Sequence, residues 1–103
     1  MQTLSLDEAK NVLQSYVNRP VYIHLEVNPE AYLRNALVTY TKCEFFGEDS
    51  YRVHFLLTNP EGMLSIKDVT DAYDDGGVIV LCGYDDQSRI AQTLSVSPQP
   101  LQV

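Results

Sequence analysis

The sequence predicts a mainly β domain: an N-terminal helix followed by about six antiparallel strands that form a small SH3/Sm-like or OB-like barrel. Three observations carry this. Apolar residues recur at helical spacing only in the first twenty positions. From Pro20 onward they alternate with period two. The alternating runs are separated by short turns such as "GEDS", "TNPEG" and "GYDDQS", too short for the crossovers that parallel strands need.

The helix comes first. Ser5-Leu6-Asp7-Glu8 has the form of a capping box, in which the Ser5 hydroxyl accepts from the Glu8 amide and the Glu8 carboxylate reaches back to the Ser5 amide. Asp7 and Glu8 favour the positive end of the helix dipole. Ala9, Val12, Leu13, Tyr16 and Val17 form one stripe, and Pro20 biases Arg19 toward extended backbone and ends the run. The single domain is therefore read as a capping helix over 4–18, a barrel over 20–97 and a tail over 98–103.

The strands follow in order. In "PVYIHLEV" the residues Val21, Ile23, Leu25 and Val27 fall on one face, and Tyr22, His24 and Glu26 on the other. "NPEA" turns. Tyr32 to Phe46 reads as one long, bent strand, because its apolar residues change face near Leu37-Val38, as they do at a bulge. Tyr51, Val53, Phe55 and Leu57 point inward, with Arg52 and His54 outward. Met63–Val69 is a short strand running into the acidic segment "DVTDAYDDGG", read as a solvated turn. Val78–Leu81 is apolar on both faces and should be buried. Ile90, Gln92, Leu94 and Val96 alternate as the last strand.

The 103 residues carry 14 acidic and seven basic side chains, a net charge of −7. That balance argues against nucleic acid, whose affinity rests on Lys and Arg neutralising phosphates. Arg19, Arg34, Lys42 and Arg52 leave room for a local cluster that takes a small anionic ligand. No apolar run is long enough to span a membrane, and "MQTLSLDEAK" lacks the basic and apolar regions of a signal peptide. The cytoplasm is the expected compartment. Cys43 and Cys82, the two cysteines, lack C-x-x-C spacing and are expected to be reduced and packed.

Chemistry-bearing residues are few. Tyr22, His24 and Glu26 share a strand face, and lateral pairing of His24 with His54 would assemble a two-histidine, one-carboxylate metal set. The plainer reading is a polar outer face used as contact surface. Arg34 and Arg52 complete the binding residues singled out. "DAYDDGG" lacks the ligand order of a calcium loop, and no nucleophile elbow or phosphate-binding glycine loop occurs. No catalytic residue, metal or cofactor is therefore expected. Seven tyrosines are present, of which Tyr16 and Tyr51 fall on core stripes and Tyr22, Tyr32, Tyr73 and Tyr84 on surfaces suited to contacts.

"RPVYIHLE" after a short helix, then "AYLRNALVTYTKCEF", "SYRV", "EG" and a final "LSVSPQP", resembles the YojF-like family of small bacterial proteins from Asp7 to about Pro100. The chain departs from that pattern at "VNPE", where the family carries a longer hairpin. The resemblance implies a mainly β cytosolic protein without a known cofactor, and a bacillithiol-type deacetylase as a partner. Two functions are thus expected to compete. The first is a non-enzymatic protein-interaction or ligand-binding module, as a homodimer or with another protein across unpaired sheet edges. The second is a small-ligand or metal-dependent enzyme built on the outward His/Glu/Tyr cluster.

Overall fold

The computed structural model describes residues 1–28 and 31–101. The expected capping box is present: Glu8 N donates to Ser5 Oγ at 3.0 Å, and Ser5 N donates to Glu8 Oε1 at 2.9 Å. It starts helix α1, Leu6–Ser15. This is shorter than the expected 4–18. Leu4 is taken by a strand absent from the sequence reading, β1 (Gln2–Leu4), and Asn18 adopts a left-handed conformation at φ 65°. Ala9 and Leu13 are fully buried, with Val12, Tyr16 and Val17 packed around them.

Six further strands follow: β2 (Pro20–Val27), β3 (Ala31–Glu48), β4 (Ser50–Asn59), β5 (Glu61–Asp75), β6 (Val78–Tyr84) and β7 (Ile90–Ser97). Every ladder is antiparallel, and each strand pairs with its neighbour in sequence. β7 returns to β2, so the ladders from β2 to β7 close on themselves and remove most sheet edges. Among the described residues no helix is long and apolar enough to cross a membrane. The expected turn "NPEA" contains Pro29 and Glu30, which lie outside the described residues.

Two long strands make the closure possible. β3 pairs β2 through Ala31–Thr39 and β4 through Thr39–Glu48, with register shifts that bend it. β5 pairs β4 through Tyr51–Thr58 opposite Glu61–Val69, then turns its second half onto β6, while β1 takes the other edge. The acidic segment read as a solvated turn is therefore strand as far as Asp75. Asp71 and Tyr73 find their partners across and along the sheet: Tyr73 and Tyr84 both donate to Asp71 Oδ2, at 3.1 and 3.2 Å. Only Gly76-Gly77 turns, held by the Gly77 amide donating to Asp74 Oδ1 at 2.8 Å.

The core lies between the helix and the ring. Val21, Ile23, Val53, Phe55, Leu81, Leu94 and Val96 are buried, and β6 is buried from Ile79 to Gly83, as its two-sided apolar run predicts. Tyr40 is the bulkiest fully buried side chain; its ring meets Phe55 edge-on at 5.0 Å. Its hydroxyl donates to the Leu13 carbonyl at 2.5 Å, while Gln14 Nε2 donates to the Cys43 carbonyl at 2.6 Å and the Asn18 amide to the Tyr40 carbonyl at 2.8 Å. These three bonds seat α1 on β3. The tail from Pro98 forms no strand, and the Leu101 amide donates to Asn35 Oδ1 at 2.9 Å; Gln102 and Val103 lie outside the described residues.

Candidate functional site

The six singled-out binding residues divide into two groups. β2 and β3 bring Tyr22, His24, Glu26 and Arg34 together, because His24 stands opposite Arg34 and Glu26 opposite Tyr32. Arg52 and His54 lie on β4, opposite Phe46 and Glu44. β3 separates the two histidines, and their partners on it are ten positions apart, roughly 33 Å of strand. The lateral pairing of His24 with His54 does not form. Among the described residues no three His, Cys, Asp or Glu side chains gather where a metal ion could sit.

The first group is built by a bulge. Ile23 stands opposite Ala36 but His24 stands opposite Arg34, so Asn35 is the extra residue, in a left-handed conformation at φ 63°. His24 Nε2 lies 3.2 Å from Glu26 Oε1, and Tyr32 packs its ring 6.1 Å from the imidazole. His24 Nδ1 is buried and has no hydrogen-bond partner among the described residues. The arrangement is a covered, partly paired histidine on a sheet face.

The other face of the same hairpin corrects the expected inward set. Val21 and Ile23 are buried, but Leu25 is half-buried and Val27 is 42 % exposed. Beyond the bulge the hairpin outruns the core, so its inward face meets solvent. Leu25, Val27, Ala31, Tyr32 and Leu33 line a hollow of about 210 Å³ there. Tyr32, Leu33 and Leu37 are 75 %, 51 % and 53 % exposed. The alternation of "PVYIHLEV" could not reveal this, because periodicity gives a residue's side of the sheet and not how far the core extends.

The hairpin also carries an open edge. Thr39 pairs with Pro20 of β2 and with Asn59 of β4, which places those strands on opposite edges of β3. β4 ends there. The edge of Ala31–Val38 that faces away from β2 therefore has no strand beside it among the described residues. Both thiols are unsuited to attack at neutral pH. Burial pushes the Cys43 thiol up to about 12 and also raises that of Cys82.

Comparison with known proteins gives consistent results. A family described as a protein of unknown function, DUF1806, matches residues 27–101. The chain is 29% identical over 118 residues to the uncharacterised protein YojF of Bacillus subtilis (strain 168), covering 100% of each. It also matches the crystal structure of the Bacillus subtilis YojF protein, with a TM-score of 0.85 and 30% identity over 99% of this chain and 97% of that one. The resemblance read from "RPVYIHLE" and "AYLRNALVTY" is thus met by a family match over most of the chain and a structural match over nearly all of it: the chain belongs to the DUF1806, YojF-like family.

Proposed function

We propose that the chain is a non-catalytic interaction module of the bacterial cytoplasm whose contact surface is the β2–β3 hairpin. The observation that carries this reading is the open edge of Ala31–Val38 flanked by the exposed side chains of Val27, Tyr32, Leu33 and Leu37. An unpaired edge offers backbone hydrogen bonds to an added strand, and apolar side chains beside it supply the burial that makes such pairing last. A second copy is the partner the edge itself supplies, because antiparallel pairing of one strand with its own copy is self-complementary about a two-fold axis. Another protein, such as the bacillithiol-type deacetylase implied by the family resemblance, would use the same edge.

Sedimentation velocity tests this. The wild-type chain is expected to run as a dimer, and Leu33→Asp with Leu37→Lys to run as a folded monomer. A wild-type chain that stays monomeric at high concentration, and captures no partner that the double variant fails to capture, would overturn the reading.

A further inference from the structure

A second place on the molecule, away from the hairpin, sets two cations in one hollow in a chain with twice as many acids as bases. On the outer faces of β4 and β5, Arg52 and Lys67, both exposed, lie beside the buried pair Val53 and Ile66. Arg52 and Lys67 share a hollow of about 330 Å³ with Phe46, Tyr51 and Asp68. Neither cation has a carboxylate within ion-pair distance among the described residues, where His24–Glu26 and Arg89–Asp85 are the pairs that form. Phe46 stands directly opposite Arg52 and leaves 48 % of its surface exposed.

The hollow owes its shape to a held bulge. Tyr51 pairs with Val69 and Val53 with Ile66, so Arg52 faces both Lys67 and Asp68. Asp68 takes a left-handed conformation at φ 58°, which aspartate and asparagine tolerate better than most residues with a Cβ. Two features hold it from the other side. Gln92 Nε2 donates to the Lys67 carbonyl at 2.9 Å. β6 approaches so closely that a Cβ on Gly83 would collide with that same carbonyl oxygen. A bulge fixed in this way re-aims side chains. Here it sets an ammonium and a guanidinium on one side of an exposed aromatic ring.

We propose that this hollow binds a small phosphomonoester carried on a planar ring, an aryl or nucleoside monophosphate. The phosphate sits against Arg52 and Lys67, since a guanidinium fork matches phosphate oxygens and an ammonium adds a point charge. The ring lies on Phe46. The Asp68 carboxylate confines the anion to the Arg52–Lys67 side and opposes it by charge.

Amide chemical shifts followed during titration with phenyl phosphate test the proposal. Saturable shifts are expected at Phe46–Arg52 and Lys67–Val69. Arg52→Gln and Lys67→Gln should each weaken binding about tenfold, as loss of one charge-assisted hydrogen bond does, and Arg89→Gln should leave it unchanged. Phe46→Leu should weaken phenyl phosphate and not inorganic phosphate, which separates the ring from the anion. Asp68→Asn, which keeps a side chain tolerant of left-handed backbone, should tighten binding. Absence of saturation, shifts spread over all basic residues, or inorganic phosphate binding as tightly as phenyl phosphate would overturn the proposal.

Discussion

Ser5 and Glu8 satisfy each other's amides, and the hydrogen bonds from Ser5 hold the Glu8 carboxyl below its ordinary value of 4.5. A carboxyl lowered in the folded state stabilises it fully above 4.5, and that contribution is lost as the pH falls through the lowered value. Ser5→Ala is expected to cost about 1 kcal/mol at neutral pH. Glu8→Gln should be less stable than the parent at neutral pH and should converge with it in acid; denaturant melts at several pH values measure both. Cys43 has the opposite sign. Its raised thiol stabilises the fold below the ordinary 9.0 and loses that contribution as the pH climbs toward about 12. The native protein should resist iodoacetamide at pH 8, with both thiols reacting once it is unfolded. Legibility at this scale follows sequence distance. The capping box was readable because its partners are three residues apart. The Tyr40 hydroxyl was not, because its acceptor on Leu13 lies 27 residues away and is brought close only by the docking of α1.

Among the strands, the long bent β3 was visible in the change of apolar face near Leu37-Val38, but its bulges fall on either side of that point. One is at Asn35; the others are marked by register shifts between Thr39 and Lys42. Hydropathy detects that a strand changes face and locates the change only to within a few residues. Asn35 is suited to its place because it tolerates left-handed backbone and its side chain also receives the Leu101 amide. Asn35→Ala should lose both features and destabilise by about 1–2 kcal/mol. Asn35→Gly should keep the backbone, lose only the tail contact, and be the milder of the two in thermal melts. β5 was legible only in its first half. "DVTDAYDD" carries four acids, and such composition ordinarily marks a solvated turn. Pairing on both edges, with β1 and with β6, overrides it, and the two tyrosine hydroxyls on Asp71 accommodate one of those charges within the sheet.

For the molecule as a whole, the mainly β class with a capping helix was readable from two periodicities, and the antiparallel pairing of successive strands from the short turns. The surfaces proposed for binding were not, because each depends on which strands become neighbours. Tyr22, His24, Glu26 and Arg34 meet as one face, whereas Arg52 leaves them for Phe46 and Lys67. The same global view fixes how self-association at the hairpin should respond to salt. Each copy carries −7, so two copies repel, and the single cation on the edge strand, Arg34, is too little to offset that field. In the proposed dimer the attraction comes from apolar side chains and backbone pairing, which salt does not screen. Repulsion between exposed charges is screened, with a Debye length of about 10 Å at 0.1 M salt and about 30 Å at 0.01 M. Association through the hairpin should therefore strengthen as salt rises from about 0.01 to 0.1 M. An interface held by ion pairs would weaken over the same range. Sedimentation equilibrium across that range distinguishes the two, and in Leu33→Asp with Leu37→Lys the salt-induced dimer should be absent.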